Sequence, residues 1–413
     1  MAITVISVPS ALSLAYRPMV YKFSSNATDL RYCIVEVLNN GVRKAAKTVQ
    51  LDLGSTTNFT VDISDVIKTI IGFELNLIGS TGVLIPDNNS GRAENITLKV
   101  YEVVLTAGLL VTGYDPDNDN NNAYTLWIGN PVSDSLNSFN GYNWTVNHFD
   151  YNTFNISDYQ LTTSSGKFLN NAPLIKDIEL DSSEYLGLLN GYNAAVTFDF
   201  KLEVLTYNSL GALLNTDYIN VTQWNNNAAI GNLLKTYLTI GVGTKNLINE
   251  GISLTNVSYY TVQLKEASNQ ASELRRFNII DSCETDTRVH WANNFGKQDS
   301  YTFKGNKIET LSHNSSIYQK ALKTSYNSSN RGFSVIENVG TRKFTVYTDS
   351  IGKNDYEFLS TMLVNKNAWV EINNSYFPII IEDESLLIRD EKNVPIQFTL
   401  VYSFANKEKG LRG

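Results

Sequence analysis

The sequence predicts a mostly β chain: two immunoglobulin- or fibronectin-like sandwich repeats, each with one short helix, followed by a third β-rich C-terminal domain with one helix. Three observations lead there. Strand-like runs bounded by turn residues recur along the 413 residues, one order of elements returns a second time, and Asn, Ser and Thr dominate the polar residues rather than Lys and Glu. Asn and Ser compete with helical backbone hydrogen bonds, whereas Thr and Tyr suit a pleated surface.

The first repeat is assigned to residues 1–110. Met19 to Phe23 and Arg31 to Leu38 read as strands, and Asn39-Asn40-Gly41 supplies the left-handed residues of a hairpin turn. Thr48 to Leu53 and Asn58 to Ile63 add two more strands. Asp62-Ile63-Ser64-Asp65 then opens Val66-Ile67-Lys68-Thr69-Ile70-Ile71, which stops at Gly72: a cap residue, an apolar face and a terminating glycine predict a short helix. Ile96 to Leu105 closes the unit as a strand.

Residues 173–272 repeat that order. Val196 to Leu205 is a strand, Asn208 to Gly211 a turn and Tyr218 to Val221 a strand. Ile230 to Ile240 is read as the helix, capped by Gly241-Val242-Gly243, with Leu233-Leu234-Lys235-Thr236 matching Val66-Ile67-Lys68-Thr69. Ser258 to Leu264 then matches Ile96 to Tyr101. Antiparallel strands with one inward face pack as two sheets, hence the sandwich assignment.

Residues 111–172 lie between the repeats. Gly113 to Asn122 is a polar run that cannot bury apolar area and is expected to be an exposed loop. Its acids at Asp115, Asp117 and Asp119 lack the glycine and the terminal Glu of an EF-hand, Leu126 standing at the twelfth position. Tyr142, Trp144, Phe149 and Tyr151 cluster just after it and are candidates for core or subunit interface ahead of glycan contact.

Residues 273–413 form the third domain. Arg276 to Ile280, Val289 to Asn293, Ser300 to Phe303, Lys343 to Thr348, Ala368 to Ile372, Tyr376 to Ile381 and Pro395 to Phe404 are its strands. Asp355 to Val364 is its helix, with Tyr356, Leu359, Met362 and Leu363 on one face.

Several function classes are disfavoured. A net charge of −8 and a pI near 5.1 oppose nucleic-acid binding, which needs a basic stripe, and Arg275, Arg276 and Arg288 read as an edge or an ion-paired interface. The start, Met1-Ala2-Ile3-Thr4-Val5, lacks a charged segment before an apolar one, and no run of about 18 apolar residues appears, so cytoplasmic synthesis without a membrane span is expected. Cys33 and Cys283 fall in different domains and are expected to stay reduced, without zinc spacing.

His148, His290 and His313 each stand alone, there is no Gly-x-Ser-x-Gly elbow, and Gly241-Val242-Gly243 lacks the Lys-Ser/Thr of a phosphate loop. Asp281 with Glu284, and Glu382, Asp383 and Glu384, are acidic pairs of the kind glycosidases use, but such clusters at strand ends are usually solvated. No catalytic residue, metal or cofactor is expected.

Leu14-Ala15-Tyr16-Arg17-Pro18-Met19-Val20-Tyr21-Lys22-Phe23 and the stretch from His290-Trp291-Ala292-Asn293-Asn294-Phe295-Gly296 to Asp299-Ser300-Tyr301-Thr302-Phe303 resemble segments of tail and neck structural proteins of Bacteroidetes-infecting phages, the crAss-like group included. In that family a tryptophan-bearing strand, a glycine and an aspartate before an aromatic strand precede a β-rich C-terminal half; here the pattern covers about the last third of the chain and departs at Lys297-Gln298, where a Gly-Gly/Phe or Gly-Trp pair is commoner. The resemblance implies a virion tail or collar ring subunit, assembled in the host cytoplasm with itself and with neck and tail neighbours, and implies no catalytic residues. Trp291 and Phe295, within the resembling stretch, join the interface candidates. The alternative is a glycan-binding adhesive module of a phage or gut bacterium, since sandwich strings with exposed aromatics also bind polysaccharide.

Overall fold

A computed structural model of the chain describes residues 3–9, 12–15, 18–39, 41–71, 84–85, 93–112, 133–139, 156–161, 166–190, 200–221, 237–266, 268–281, 286–293, 295–319, 333–364, 367–373, 375–383, 385–388, 397–405 and 408–409. These residues are mostly strand and contain three α-helices.

The first unit contains β1 (Ile3–Ser7), β2 (Leu12–Leu14), β3 (Val20–Ser25), β4 (Leu30–Asn39), β5 (Val42–Gln50), β6 (Asn58–Asp62), α1 (Ser64–Ile70), β7 (Leu84–Ile85), β8 (Ala93–Thr106), β9 (Leu109–Thr112) and β10 (Ser133–Phe139). One sheet runs β1-β3-β6 and the other β2-β10-β8-β4-β5, with β9 hairpinned onto β8. Gly41, at φ 81, turns β4 into β5 as the hairpin signal required. Tyr21, Phe23, Phe59, Val35, Val37 and Val100 meet between the sheets, and α1 adds Ile67 to that core.

The second unit contains β11 (Gln160–Leu161), β12 (Ile175–Glu179), β13 (Tyr185–Asn190), β14 (Phe200–Tyr207), β15 (Leu213–Asn220), β16 (Tyr237–Gly241), α2 (Thr244–Asn249), β17 (Tyr259–Glu266), β18 (Asn269–Gln270) and β19 (Arg275–Ile280). Its larger sheet runs β12-β19-β17-β14-β15, position for position the order of the first unit, and β18 hangs on β17 as β9 hangs on β8. In both units the first strand is parallel to the second, β2 to β10 and β12 to β19. The opposing sheets pair β3 with β6 and β13 with β16, and a helix follows β6 and β16 alike. β7, from the first stretch of chain, completes the second unit's sheet by pairing with β16.

Three expectations are corrected here. Tyr237–Gly241 is strand, not the end of a helix: its alternation sets Leu238 and Ile240 against Leu188 and Leu186 of β13, and the helix comes later, as α2. Leu233 to Thr236 lie outside the described residues. Gly243 accordingly opens a helix rather than closing one. It is the N-cap of α2, and a Cβ there would stand 2.3 Å from the backbone of Glu184 and Ser182, so the bare glycine lets the two segments touch. The boundary expected at 272/273 divides a sheet, because β19 pairs with β17; likewise β10, expected between repeats, pairs with β8.

The third unit contains β20 (Thr287–Ala292), β21 (Gln298–Phe303), β22 (Ile308–Gln319), β23 (Phe333–Tyr347), α3 (Lys353–Leu363), β24 (Ala368–Ile372), β25 (Ser375–Ile381), β26 (Leu386–Ile388), β27 (Gln397–Phe404) and β28 (Glu408–Lys409). They make one sheet in the order β21-β20-β24-β25-β27-β23-β22, with β26 and β28 on its flanks. α3 lies on it with Leu359 and Met362 of the expected face buried against Trp291, Val370 and Leu400, Tyr356 and Leu363 partly buried beside them, and Phe358, outside the expected face, buried as well. β22 and most of β23 were not foreseen, because a stretch rich in Ser, Asn and Thr shows little apolar alternation.

Candidate functional site

β20 carries the densest polar chemistry. Its sequence, Thr287-Arg288-Val289-His290-Trp291-Ala292, alternates as a half-buried strand should, yet all six residues are buried. Val289 and Trp291 enter the α3 core. Arg288 and His290 point the other way, and the second unit covers them.

Across β20, Arg288 faces Thr302 of β21 and Glu371 of β24, and His290 faces Ser300 and Trp369. From the second unit, Lys176 on β12 and Glu184 just before β13 complete the cluster. The turn at Asp181, with φ 68, reverses the chain between them. Glu184 accepts from Lys176 Nζ at 2.7 Å, from Arg288 Nη2 at 2.8 Å and from Ser300 Oγ at 2.6 Å. Lys176 also donates to the Ser300 carbonyl at 2.8 Å, and Arg288 to the Ser183 carbonyl at 2.8 Å and to Thr302 Oγ1 at 3.0 Å.

Burial pushes the Glu184 carboxyl up, but Lys176 and Arg288, with the hydrogen bonds from Lys176 and Ser300, outweigh it and hold the group below its ordinary value. It is a carboxylate shared by two cations, enclosed with a side chain 1 % exposed. Charged groups taken out of water survive there only when paired and hydrogen-bonded on every side.

His290 is neutral. Burial drives its pKa down against the raising effect of Glu371. Nε2 lies 2.8 Å from Glu371 Oε2 and Nδ1 lies 2.7 Å from Gln298 Nε2, so the partners assign the proton to Nε2, which donates to the carboxylate while Nδ1 accepts from the amide. Burial raises Glu371, but the His290 hydrogen bond and the nearby cations bring it below its ordinary value.

A second focus surrounds Asp299 on β21. It accepts from Asn170 Nδ2 at 2.7 Å and Asn293 Nδ2 at 3.2 Å, and burial lifts its pKa to about 7 against the attraction of Lys176. Asn293 is the organiser of the 293–297 turn: its Oδ1 accepts from the Phe295 and Lys297 backbone amides at 2.9 Å, and its Nδ2 also donates to the Leu169 carbonyl. Lys297 runs over Gly187 to reach Thr239 Oγ1 at 2.9 Å; a Cβ on Gly187 would stand 2.3 Å from its Cγ. Lys297 and Gln298 are both buried, the first reaching Thr239 of the second unit and the second donating to His290 of its own.

The cluster holds acids, a neutral imidazole and cations, the groups of acid–base chemistry, but protein encloses them. His290 and Asp299 are 0 % exposed, and their hydrogen bonds go to neighbouring side chains, Glu371 and Gln298 for His290 and Asn170 and Asn293 for Asp299. In this arrangement the groups join the second unit to the third. Among the described residues, no group of three or more His, Cys, Asp and Glu is placed to hold a metal ion.

Among the expected interface residues, Trp291 and Phe295 are a correction. Trp291 is 0 % exposed, donating its indole N–H to Thr361 Oγ1 at 3.2 Å beneath α3, and Phe295 is 4 % exposed against the Tyr159 ring. Neither is presented to another subunit, because each fills a gap inside the chain. Tyr142, Trp144, Phe149 and Tyr151 lie outside the described residues, as do His148, the 113–122 run, Cys283 and Glu284. Of the three arginines, Arg275 is bound to Glu273 and to the Ala172 and Pro173 carbonyls, Arg276 stacks 3.7 Å from the Tyr259 ring, and Arg288 is interior. Cys33 is buried, and burial beside Glu102 lifts its thiol to about 12.

Sequence reasoning missed Lys176, Glu184, Asp299 and Asn170. The one signal available was on β20, where charged and apolar residues alternate in a strand lacking any reason to face water.

Elsewhere, a groove of about 590 Å³ opens on the third unit between Arg342, Lys343, Phe377, Pro378, Glu382 and Phe404. Glu382 accepts from Ser403 Oγ at 2.6 Å and pairs with Lys343 at 3.6 Å. No helix among the described residues is long and apolar enough to cross a membrane.

No family model and no curated protein matches the chain. Extracellular domains 3–5 of Drosophila OTK are similar to it at 8 % identity with a TM-score of 0.23, over 85 % of this chain and 94 % of that one, a score too low to carry an argument.

Proposed function

We propose that this chain is a non-catalytic structural subunit of a phage tail or collar ring, working through contacts with itself and with neighbouring neck and tail proteins in a virion assembled in the host cytoplasm. One observation supports the reading: the cluster of ionisable groups around Glu184 and Arg288 is closed to solvent, and the bonds of Glu184 to Arg288 and Ser300, with that of Lys176 to the Ser300 carbonyl, join two β units. A ring needs units held in fixed orientation, since lateral contacts close into a ring only when each subunit holds a fixed rotation to the next. The resemblance of the His290 to Phe303 stretch to tail and neck proteins gives the direction.

Electron microscopy of the purified chain, with mass spectrometry of purified virions, tests this. Closed rings and presence in the virion are expected. Absence from virions together with no ring at any concentration overturns it.

The groove on the third unit favours a second reading, a glycan-binding adhesive module, because Phe377 and Phe404 offer ring faces beside the Arg342 and Glu382 side chains. A glycan array in which binding is lost in Phe377→Ala would select it.

A further inference from the structure

β22 is an edge of the nine-stranded sheet, and among the described residues no strand pairs with its outer side. Its neighbour β23 is held by β27 only over Lys343–Tyr347 and touches β28 at Val339 and Gly340. Beyond that, from Asn314 to Gln319 and from Phe333 to Asn338, the two strands pair, among the described residues, only with each other. A two-stranded ribbon is marginally stable alone in water.

The ribbon is also apolar where it should be polar. Phe344 of β23 is buried in the core and stands opposite Glu309, so Glu309, Leu311, His313, Ser315 and Ile317 share the core-side face of β22. That face continues past the core: Ile317 opposes Val335, and Phe333 follows. Leu311, Ile317, Val335 and Phe333 are 60 %, 61 %, 52 % and 58 % exposed. Natural edge strands are protected by charge or proline. Here residues 310–319 contain neither, Glu309 is paired with Arg342 at the ribbon's base, and the remaining charges, Glu337 and Lys343 on β23 and Lys320 after the strand, lie outside β22 itself.

We propose that the β22 edge pairs antiparallel with β22 of a second copy of this chain, about a two-fold axis through Asn314. That register is self-complementary. It sets Leu311 of each copy opposite Ile317 of the other on the same face, joins the two apolar stripes across four strands, and places Glu309 opposite Gln319 so that no like charges meet. A register centred between His313 and Asn314 instead sets Leu311 against Ser316, losing the apolar match. The pairing is an isologous contact and does not rest on the ring reading, which needs a separate, heterologous one.

Cysteine cross-linking in a Cys283→Ser background tests it, Cys33 being buried. Directly opposed residues of antiparallel strands have Cα atoms about 4.5–5.5 Å apart, within disulfide reach. Asn314→Cys is therefore expected to yield a disulfide-linked dimer on mild oxidation. Thr310→Cys alone should not, its two copies lying about 27 Å apart at the strand rise, yet it should cross-link to a Tyr318→Cys chain mixed with it. Sedimentation of the unmodified chain should show a dimer that the doubly substituted Ser312→Lys, Ser316→Lys chain weakens at least about tenfold, because the two lysines then oppose one another across the edge.

A wild-type chain that stays monomeric, a dimer without the Asn314 cross-link, or a dimer indifferent to the paired lysines while circular dichroism shows the fold intact, each overturns the proposal. Rings without the Asn314 cross-link would refute this pairing and leave the ring reading standing; the cross-link in a chain that forms no ring and is absent from virions would do the reverse.

Discussion

Replacing Glu184 with glutamine removes one negative charge from between two buried cations and leaves the shape almost unchanged. In the wild type the carboxylate accepts from Lys176, Arg288 and Ser300 within 2.8 Å, and its side chain is 1 % exposed. An amide offers one oxygen to those donors and turns its own N–H groups toward another. Breaking a buried pair by removing one partner costs about 3–5 kcal/mol, mostly because the surviving charge stays buried. At roughly 2–4 °C per kcal/mol for a unit of this size, Glu184→Gln should lower the melting temperature by about 6–20 °C. Because the partners come from two units, the loss should also separate their unfolding, one calorimetric transition becoming two. Replacing Lys176, Glu184 and Arg288 together by apolar residues of similar volume should recover most of the stability, since no unpaired charge remains. Scanning calorimetry with near-ultraviolet circular dichroism measures both. A loss below about 1 kcal/mol in Glu184→Gln, the range of a solvent-exposed pair, would refute the argument that this carboxylate holds the two units together.

Other expectations follow from the same interior. Asp299 is raised from 3.8 to about 7, so between those values the unfolded chain has released a proton that the folded chain keeps; stability falls by about 1.4 kcal/mol per pH unit across that window, roughly 4 kcal/mol in all, and levels off above it. Asp299→Asn should abolish that descent in urea titrations run from pH 4 to 8. Glu184 and Glu371 are held below their ordinary values, so their contribution is present above about pH 4.5 and lost on acidification, and that limb should persist in Asp299→Asn. Gly243→Ala places a methyl group 2.3 Å from backbone that no rotamer can move, and should cost about 1–3 kcal/mol or more by denaturant unfolding. With its thiol near 12, Cys33 should resist a thiol reagent at pH 8 in the native chain and react once urea unfolds it; rapid native labelling in a Cys283→Ser background would contradict the burial.

Much of the architecture was legible locally. Alternation and turn residues located β3, β4, β6, β8, β14 and β17, and the cap-to-glycine pattern located α1. The missed helix shows where that reasoning stops. Tyr237 to Gly241 and Thr244 to Asn249 are both short pieces beside glycine, too short to show a period, and the pairing of β16 with β13, Ile240 opposite Leu186, makes the first a strand. The two larger sheets share one strand order despite that error, because sheet order is carried by several strands at once, whereas the helix position rested on one segment. Unit borders failed for a related reason: β10 and β19 join sheets whose other strands lie far away in the chain, and no local signal announces such a partner.

The sequence by itself determined the mostly β composition, the duplicated order of strands and the α3 face, because each depends on the period of side chains along one segment. Only the tertiary structure decided that Lys176, Glu184, Arg288, His290 and Asp299 meet, and that Trp291 and Phe295 turn inward. Burial and charge pairing are properties of groups brought together across more than a hundred residues, as Arg288 and Glu184 are, and a strand's own alternation says which residues share a face but not what will cover it.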